Sequence, residues 1–264
     1  SWTMGGLLTM PVTGPLKIKP GEENEPDSGY RSRINHKNEK ASLSYYSVLL
    51  DDYNIKAELT STTRTGFQRY TFPKSDSSRI LFDLENGSEY PYEVRWASIS
   101  KVSDYEIEGF STQSSYDEPT NLLNDYTVYF VARVDKPMKS FGTWVNGYVD
   151  TTSSICWGRH DIGAFMNFDT EEGEIIQLKT AISYVSIEQA RKNLEVESGG
   201  FGWNFDAVRK YAVNEWRKIL STIEIEGTEE DKRKFYTNLY RSYCSRTIFS
   251  DVDGQYVDMY ERTQ

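Results

Sequence analysis

The hydrophobic residues of this chain change their period once, near Val185, and this change constrains the fold more than any other feature. Before Val185, apolar residues recur at every second position, as they do on the half-buried face of a β-strand. After it, they recur at helical spacing. A run of strands followed by helices argues against alternating βαβ units. We therefore predict a mainly β fold in which the helices follow the strands as a separate layer or domain.

Four segments show the alternation of strands most clearly. They are Ile55-Ala57-Leu59, Ile80-Phe82-Leu84, Tyr92-Val94-Trp96 and Val128-Phe130-Ala132. Asn86-Gly87 and Asn146-Gly147 are hairpin dipeptides, because both residue types tolerate the positive φ of a type I′ turn. Roughly 180 residues of this pattern is ample for two packed sheets. We expect antiparallel strands that turn the named apolar side chains toward a common core.

Each predicted helix carries its own start signal. Ser186 with Gln189 forms a capping box, and Asn204 and Thr228 are suited to cap two further helices. The helix after Asn204 has one apolar stripe, which consists of Phe205, Val208, Ala212, Trp216, Ile219 and Leu220. A stripe of this kind needs another surface to bury it. The Gly199-Gly200-Phe201-Gly202 segment follows a helix and lacks a Gly-Lys-Ser/Thr sequence, so it is interpreted as a flexible connector and not as a phosphate loop.

Charge and cysteine content exclude several classes of protein. The 40 acidic and 30 basic residues give a net charge of −10, and the basic residues are scattered, which argues against a nucleic-acid partner. With two cysteines far apart in sequence, a disulfide framework is not expected. The chain has no apolar stretch of the length that spans a membrane, so we predict no membrane span. Its start at Ser1 and its polar end after Tyr260 suggest that both termini are cuts.

Two short motifs resemble catalytic or metal sites. Cys156 and His160 stand four residues apart, but the chain has only two histidines and two cysteines, too few for a usual zinc site, so a strand end or loop is favoured. Asp251-Val252-Asp253-Gly254 resembles the opening of a calcium loop. The EF-hand spacing fails there, since Tyr256 takes the glycine position and Arg262 the final glutamate position. A polar turn capped by aspartate is favoured, and a place at the mouth of a helical domain is the alternative.

Several longer segments carry a resemblance to a known family. They are Gly-Tyr-Arg-Ser-Arg with His-Lys-Asn-Glu-Lys-Ala-Ser (29–42), the run from Tyr45 to Thr60, Thr63 to Pro73, Thr180 to Leu194, Phe235 to Tyr240, and Phe249 to Gly254. The polar residues between Arg31 and Lys40 are, as chemistry alone, typical of a solvated strand face and turn. In this order, the segments resemble glycoside hydrolase family 92, the calcium-dependent exo-α-mannosidases of bacteria.

The resemblance implies an architecture that agrees with the change of period. It implies an antiparallel β-sandwich (a supersandwich) over residues 1–184, a helical linker over 185–226, and the start of a truncated (α/α)6 catalytic barrel over 227–264. Thr228 to Cys244 would then be the first barrel helix. The rest of the barrel would follow Gln264.

The same resemblance implies an activity, and it implies that the catalytic groups lie elsewhere. The family inverts the anomeric centre with a glutamic acid as general acid and an aspartate as general base, and calcium helps to distort the mannoside. By this likeness, the two carboxylates and the calcium ligands lie beyond this chain, so no catalytic or metal residue is assigned here. Tyr116, Asp251 and Asp253 are assigned to substrate binding. The implied partners are α-mannoside glycans, such as the mannose of N-glycans, and the missing barrel.

Some consequences of the resemblance stay open. The implied protein releases mannose in the periplasm, at the cell surface or after secretion, with α-1,2 linkages as the expected substrate, but the linkage itself is not fixed by these residues. The alternative is a stand-alone carbohydrate-binding β-sandwich without hydrolase activity. The aromatic content of 14% suits either protein, since a pyranose packs its C–H face on a flat ring. Packing within a sandwich explains the same content.

Overall fold

The computed structural model describes residues 7–22, 24–85, 93–117, 122–244, 248–258, 260 and 262–264, without the side chains of 26, 115–117 and 122–124. Within these ranges, fourteen strands, β1 to β14 in chain order, form two antiparallel sheets, and three helices follow them. The prediction of a mainly β chain whose helices come last is therefore confirmed. No helix in this part of the chain is long and apolar enough to cross a membrane.

The smaller sheet has five strands in the order β1-β6-β13-β10-β11. Their bounds are Leu8–Val12 (β1), Ser75–Asp83 (β6), Ser140–Val145 (β10), Tyr148–Asp150 (β11) and Ile162–Thr170 (β13). Asn146 and Gly147 join β10 to β11 with φ values of 51° and 82°. Both angles belong to a type I′ turn, as the dipeptide predicts.

The larger sheet has nine strands in the order β12-β7-β8-β9-β14-β5-β4-β3-β2. Their bounds are Lys40–Ser42 (β2), Tyr45–Leu50 (β3), Ile55–Ser61 (β4), Thr65–Phe72 (β5), Glu93–Lys101 (β7), Glu106–Asp117 (β8), Leu122–Val134 (β9), Ile155–Gly158 (β12) and Glu174–Ser183 (β14). In the segment before β2, Arg33 forms an ion pair with Asp52, and His36–Asn38 form a short 3-10 turn. Most of these residues are exposed, so the solvated turn predicted there is confirmed.

The core lies between the two sheets. Two of the predicted alternations are fully buried in it: Ile80, Phe82 and Leu84 on one side, and Val128, Phe130 and Ala132 on the other. These segments match their pattern because β6 and β9 are each paired on both sides and the opposite sheet covers their inner faces.

The third predicted alternation, Ile55-Ala57-Leu59 in β4, is confirmed only in part. In β4, Ile55 and Ala57 are buried, but Leu59 is 37% exposed while Glu58 is buried. The second helix packs on the outer face of β4 at this end of the strand. Glu58, which the pattern placed on the solvent-facing side, is therefore buried. Burial alone would raise the pKa of Glu58, but hydrogen bonds from Arg69, Tyr45 and Lys56 outweigh it and lower the pKa to about 2.

The fourth alternation fails at Trp96, which is 38% exposed although the pattern placed it with Val94 in the core. A β-bulge between Val94 and Trp96 inserts one extra residue opposite β8. Because side chains alternate along a strand, one extra residue turns everything after it to the other face. Tyr92 and the predicted hairpin at Asn86-Gly87 lie outside the described residues.

Three helices follow β14: Ile187–Ser198 (α1), Phe205–Leu220 (α2) and Glu229–Cys244 (α3). The predicted caps form. The side chains of Ser186, Asn204 and Thr228 accept hydrogen bonds from the backbone N–H groups of Gln189, Ala207 and Asp231, respectively. The capping box is incomplete, because the Ser186 backbone N–H donates to the Ser183 hydroxyl and not to the side-chain oxygen of Gln189. The Gln189 side-chain NH2 donates to Asp253. The 199–202 segment connects α1 to α2, as predicted.

The apolar stripe of α2 is buried mainly by the sandwich itself. Phe205 and Val208 form one cluster with Phe67 of β5, whereas Ile219 at the far end of the helix is 37% exposed. In α3, no side chain of the described residues is buried. The first half of the stripe therefore packs on the sandwich, and the second half faces α3 and solvent.

Candidate functional site

A cleft of about 280 Å³ lies where the sandwich meets the helical part of the chain. It is lined by Thr63, Arg64, Ile182, Ser183, Tyr184, Ile248, Phe249, Ser250 and Asp251. The ring centroids of Tyr184 and Phe249 are 5.3 Å apart on its wall. Strand ends, α1 and the 248–258 segment all converge here, so the cleft is shaped by residues that are distant in sequence.

Arg64 joins three of these elements from the turn between β4 and β5. Its Nη1 lies 2.8 Å from Oε1 of Glu197 on α1, and its backbone N–H donates to Oε2 of the same carboxylate at 2.8 Å. Its Nε donates to the Ser250 carbonyl oxygen at 2.6 Å. Thr62 also donates to Glu197. A charge-assisted pair of this kind fixes orientation as well as distance, so it aligns the turn, α1 and the 248–258 segment.

Asp251 is buried, at 3% exposure, where β14, α1 and the 248–258 segment meet. We call this meeting point the junction. Oδ2 of Asp251 accepts the Ser183 hydroxyl at 2.8 Å, and its Oδ1 accepts the Asn193 amide at 2.7 Å. Asn193 also donates to the Ile182 carbonyl and accepts the Val252 N–H. One carboxylate and one amide thereby connect the end of β14, the interior of α1 and the turn at 251–254.

Asp253 lies on the solvent side of the same turn. Lys192 Nζ is 2.7 Å from its Oδ2, and Gln189 and Gln255 donate to the same oxygen. The bond from Lys192, followed by the smaller contributions of the glutamines, lowers the pKa of Asp253 to about 2. Asp253 is therefore an anion at any physiological pH. The turn is the polar, aspartate-capped structure that the sequence favours, with Gly254 at a φ of +90°.

The other residues singled out in the sequence are not brought into this cleft in the described part of the chain. The Tyr116 backbone pairs with Leu123 near the end of the β8–β9 hairpin, and its side chain lies outside the described residues. Cys156 is buried in β12, and burial raises the pKa of its thiol to about 11, which makes it unreactive. His160 lies beyond the end of that strand and is exposed, so the strand-end interpretation of this pair is confirmed.

Hydrogen bonds around Arg64 and Asp251 join the sandwich, α1 and the 248–258 segment. Both oxygens of Asp251 are already occupied by hydrogen bonds. Across the residues described, no group of three or more acidic, histidine or cysteine side chains is placed to hold a metal ion, and so these residues do not fit a calcium site by themselves. Arg64, Asn193 and Glu197 were not singled out from the sequence, although the first two belong to the segments that carried the family resemblance.

Two family models match consecutive parts of the chain. The N-terminal domain of glycosyl hydrolase family 92 matches residues 1–183, and the catalytic domain of the same family matches residues 189–264. The chain therefore belongs to glycosyl hydrolase family 92.

Solved structures of the family share the fold. The GH92 α-mannosidase BT3965 from Bacteroides thetaiotaomicron, also solved with mannoimidazole, is 32% identical with a TM-score of 0.89 over 99% of this chain. The GH92 glycosyl hydrolase ccman5 is 28% identical with a TM-score of 0.84 over 98%. An uncharacterized secreted glycosidase of Arthroderma benhamiae is 22% identical over 78% of this chain.

The chain spans only part of each of these relatives. It covers 34% of the Bacteroides mannosidase, 35% of ccman5 and 28% of the Arthroderma protein. The described fold therefore corresponds to the β-sandwich of the family and the start of its helical domain.

Proposed function

We propose that this chain is the N-terminal part of an inverting exo-α-mannosidase that releases mannose from glycans. The observation that carries the proposal is the likeness, along nearly the whole chain, to a GH92 α-mannosidase that was also solved with mannoimidazole. Both family models, placed in the same order as the strands and helices, support it.

In this proposal, the described residues position the catalytic groups without supplying them. The Arg64–Glu197 pair attaches α1 to the sandwich, and the hydrogen bond between Asn193 and Asp251 attaches the segment after α3 to α1. A shift at the junction would move everything that follows it relative to the sandwich. From the family likeness, we also propose that Asp251 and Asp253 border the sugar pocket from its helical side and that Tyr116 of β8 contributes to sugar binding.

The reaction itself needs two carboxyl groups, one as general acid and one as general base. In an inverting glycosidase they lie roughly 6.5–9.5 Å apart, which leaves room for the attacking water. We propose that both, with the ligands of a calcium ion, lie in sequence outside these 264 residues. The described residues contribute the surface against which that part of the protein closes.

The substrate and the location follow from likeness alone. We propose α-1,2-linked mannosides, such as those of N-glycans, as the substrate. We place the protein in the periplasm, at the bacterial cell surface or outside the cell, where such glycans are met. The name of the Arthroderma relative, a secreted glycosidase, supports an extracytoplasmic location.

The test uses the complete reading frame from which this chain comes, compared with the 264-residue chain. The complete protein should release mannose from α-1,2-mannobiose and from an aryl α-mannoside, EDTA should abolish the release, and added calcium should restore it. Proton NMR of the first product should show β-mannose, the inverted anomer. The 264-residue chain should be inactive.

Two results would overturn the proposal. The first is a complete protein that cleaves neither substrate with calcium present. The second is hydrolysis by the 264-residue chain alone, which would place the carboxylates within it. A reading frame that ends near codon 264, together with sugar binding and no hydrolysis, would favour the stand-alone binding module.

A further inference from the structure

Aromatic side chains form a row across the outer face of the larger sheet, away from the junction. Trp157 of β12 pairs with Ser98 of β7, Ser98 pairs with Phe110 of β8, and Phe110 pairs with Tyr129 of β9. Trp96, turned outward by the β-bulge, lies beside Trp157. We name these five residues the aromatic row.

The rings of the row form two contacting pairs, of which the tryptophan pair is exposed and the Phe110–Tyr129 pair is half-buried. The ring centroids of Trp96 and Trp157 are 5.2 Å apart with their planes at 32°, and those of Phe110 and Tyr129 are 5.9 Å apart. Trp157 is 61% exposed, the highest value among the ring residues of the row. Adjacent strands are about 4.8 Å apart, so the row extends for about 14 Å across four strands.

Packing does not account for this exposure. The core-facing side chains of these strands, such as Ala97 and Ile99, are fully buried on the opposite face. Among the described residues, α1 packs mainly on β9 and β14, and α2 packs on β4 and β5. The β12 and β7 end of the sheet therefore presents two neighbouring tryptophans to solvent, and neither α1 nor α2 packs mainly on this end.

Polar groups are interleaved with the rings. Ser98 lies within the row, and the hydroxyls of Thr112 and Thr127 form the neighbouring cross-strand pair at 2.9 Å. One side is bordered by the ion pair of Arg95 and Asp125.

The tryptophan end of the row carries a cation. The guanidinium of Arg159 lies 6.0 Å from the ring of Trp96. Ile155 is the one large aliphatic side chain that is exposed beside Trp157 on β12. Serine and aspartate are depleted at protein–protein interfaces, whereas Ser98 lies within this row and Asp125 beside it.

These features match the chemistry of a sugar chain. A pyranose has an apolar C–H face that stacks on an aromatic ring and hydroxyls at its edge that need donors and acceptors. We propose that the aromatic row is a second, non-catalytic binding surface for a polysaccharide of pyranose units, with Trp157 and Trp96 as its anchors. It lies apart from the Arg64–Asp251 junction and goes beyond the hydrolase function, because it would hold the protein on a glycan whether or not that glycan is cleaved.

The test measures binding without turnover. Soluble α-mannan and, in parallel, a soluble β-glucan are titrated into the 264-residue chain by calorimetry and by tryptophan fluorescence. We expect saturable binding of at least one polysaccharide with a change in fluorescence. Trp157→Ala and Trp96→Ala should each weaken it by about tenfold, since each removes most of a stacking surface, whereas Trp157→Tyr should retain most of the affinity.

Tyr148→Ala is the matched control, because Tyr148 is 82% exposed on β11 of the smaller sheet. It should bind like the unaltered chain, and all variants should keep the same circular dichroism spectrum. The proposal is overturned if neither polysaccharide binds, or if Trp157→Ala and Trp96→Ala bind as well as Tyr148→Ala. It is also overturned if the unaltered chain sediments as a dimer that Trp157→Ala dissociates, since the row would then be a subunit interface. Mannosidase activity has no part in these readouts, so the two proposals can fail separately.

Discussion

Asn193 offers the sharpest test of how the helices are held on the sandwich. Its side chain is fully buried in α1 and makes three hydrogen bonds. It donates to the Ile182 carbonyl at 2.8 Å and to the Asp251 carboxylate at 2.7 Å, and it accepts the Val252 N–H at 3.0 Å. Asn193→Ala removes all three at once and leaves their partners buried.

The expected loss can be worked out bond by bond. A hydrogen bond to a charged group contributes about 1.5–3 kcal/mol and a neutral one about 1 kcal/mol. The higher helix propensity of alanine offsets about 0.5 kcal/mol of this loss in the free energy of unfolding. The free energy of unfolding should therefore fall by about 3–4.5 kcal/mol. Amide exchange in 248–258 should accelerate most, because that segment loses two of the three bonds.

The measurement is urea denaturation followed by circular dichroism, together with hydrogen exchange read by mass spectrometry. Asn214→Ala is the matched control, since Asn214 is exposed in α2 and the same exchange of residue types should leave stability unchanged within about 0.5 kcal/mol. The reasoning is refuted if Asn193→Ala costs less than about 1 kcal/mol and leaves the exchange of 248–258 as it was.

Two further predictions concern the sandwich. Because the pKa of Glu58 lies at about 2 in the folded chain and at the usual 4.5 when unfolded, its ionisation stabilises the fold above pH 4.5, and this contribution of about 3 kcal/mol is lost as the pH falls toward 2. Unfolding of Glu58→Gln at pH 7 and pH 3 should show a smaller acid effect than the unaltered chain, and equal effects would contradict the role of the Arg69 pair. Gly163→Ala should cost more than about 2 kcal/mol, because its Cβ would lie 2.3 Å from the Phe82 carbonyl oxygen, whereas Gly200→Ala meets nothing within 4 Å. Equal thermal midpoints for the two glycine variants would count against the packing described at Gly163.

The junction around Asp251 could be predicted only in part from the sequence. Asp251 was singled out because an acidic turn follows a helix, and the turn is there. Its partners Ser183 and Asn193 are 68 and 58 residues away along the chain. No local pattern marks such a pairing, since a serine at a strand end and an asparagine in a helix are each ordinary. The same holds for Arg64 and Glu197, which are 133 residues apart.

The sequence by itself determined the order of strands and helices, the caps of the helices, the turn at Asn146-Gly147 and the central strands of the core. All of these depend on residues close together in the chain, where period and backbone preference act directly. Only the tertiary structure decided which face of β4 is buried at Glu58 and which way Trp96 points. In the first case a helix from elsewhere in the chain covers the outer face, and in the second a single extra residue in the β7–β8 pairing reverses the alternation, so both outcomes depend on neighbours that the local pattern does not contain.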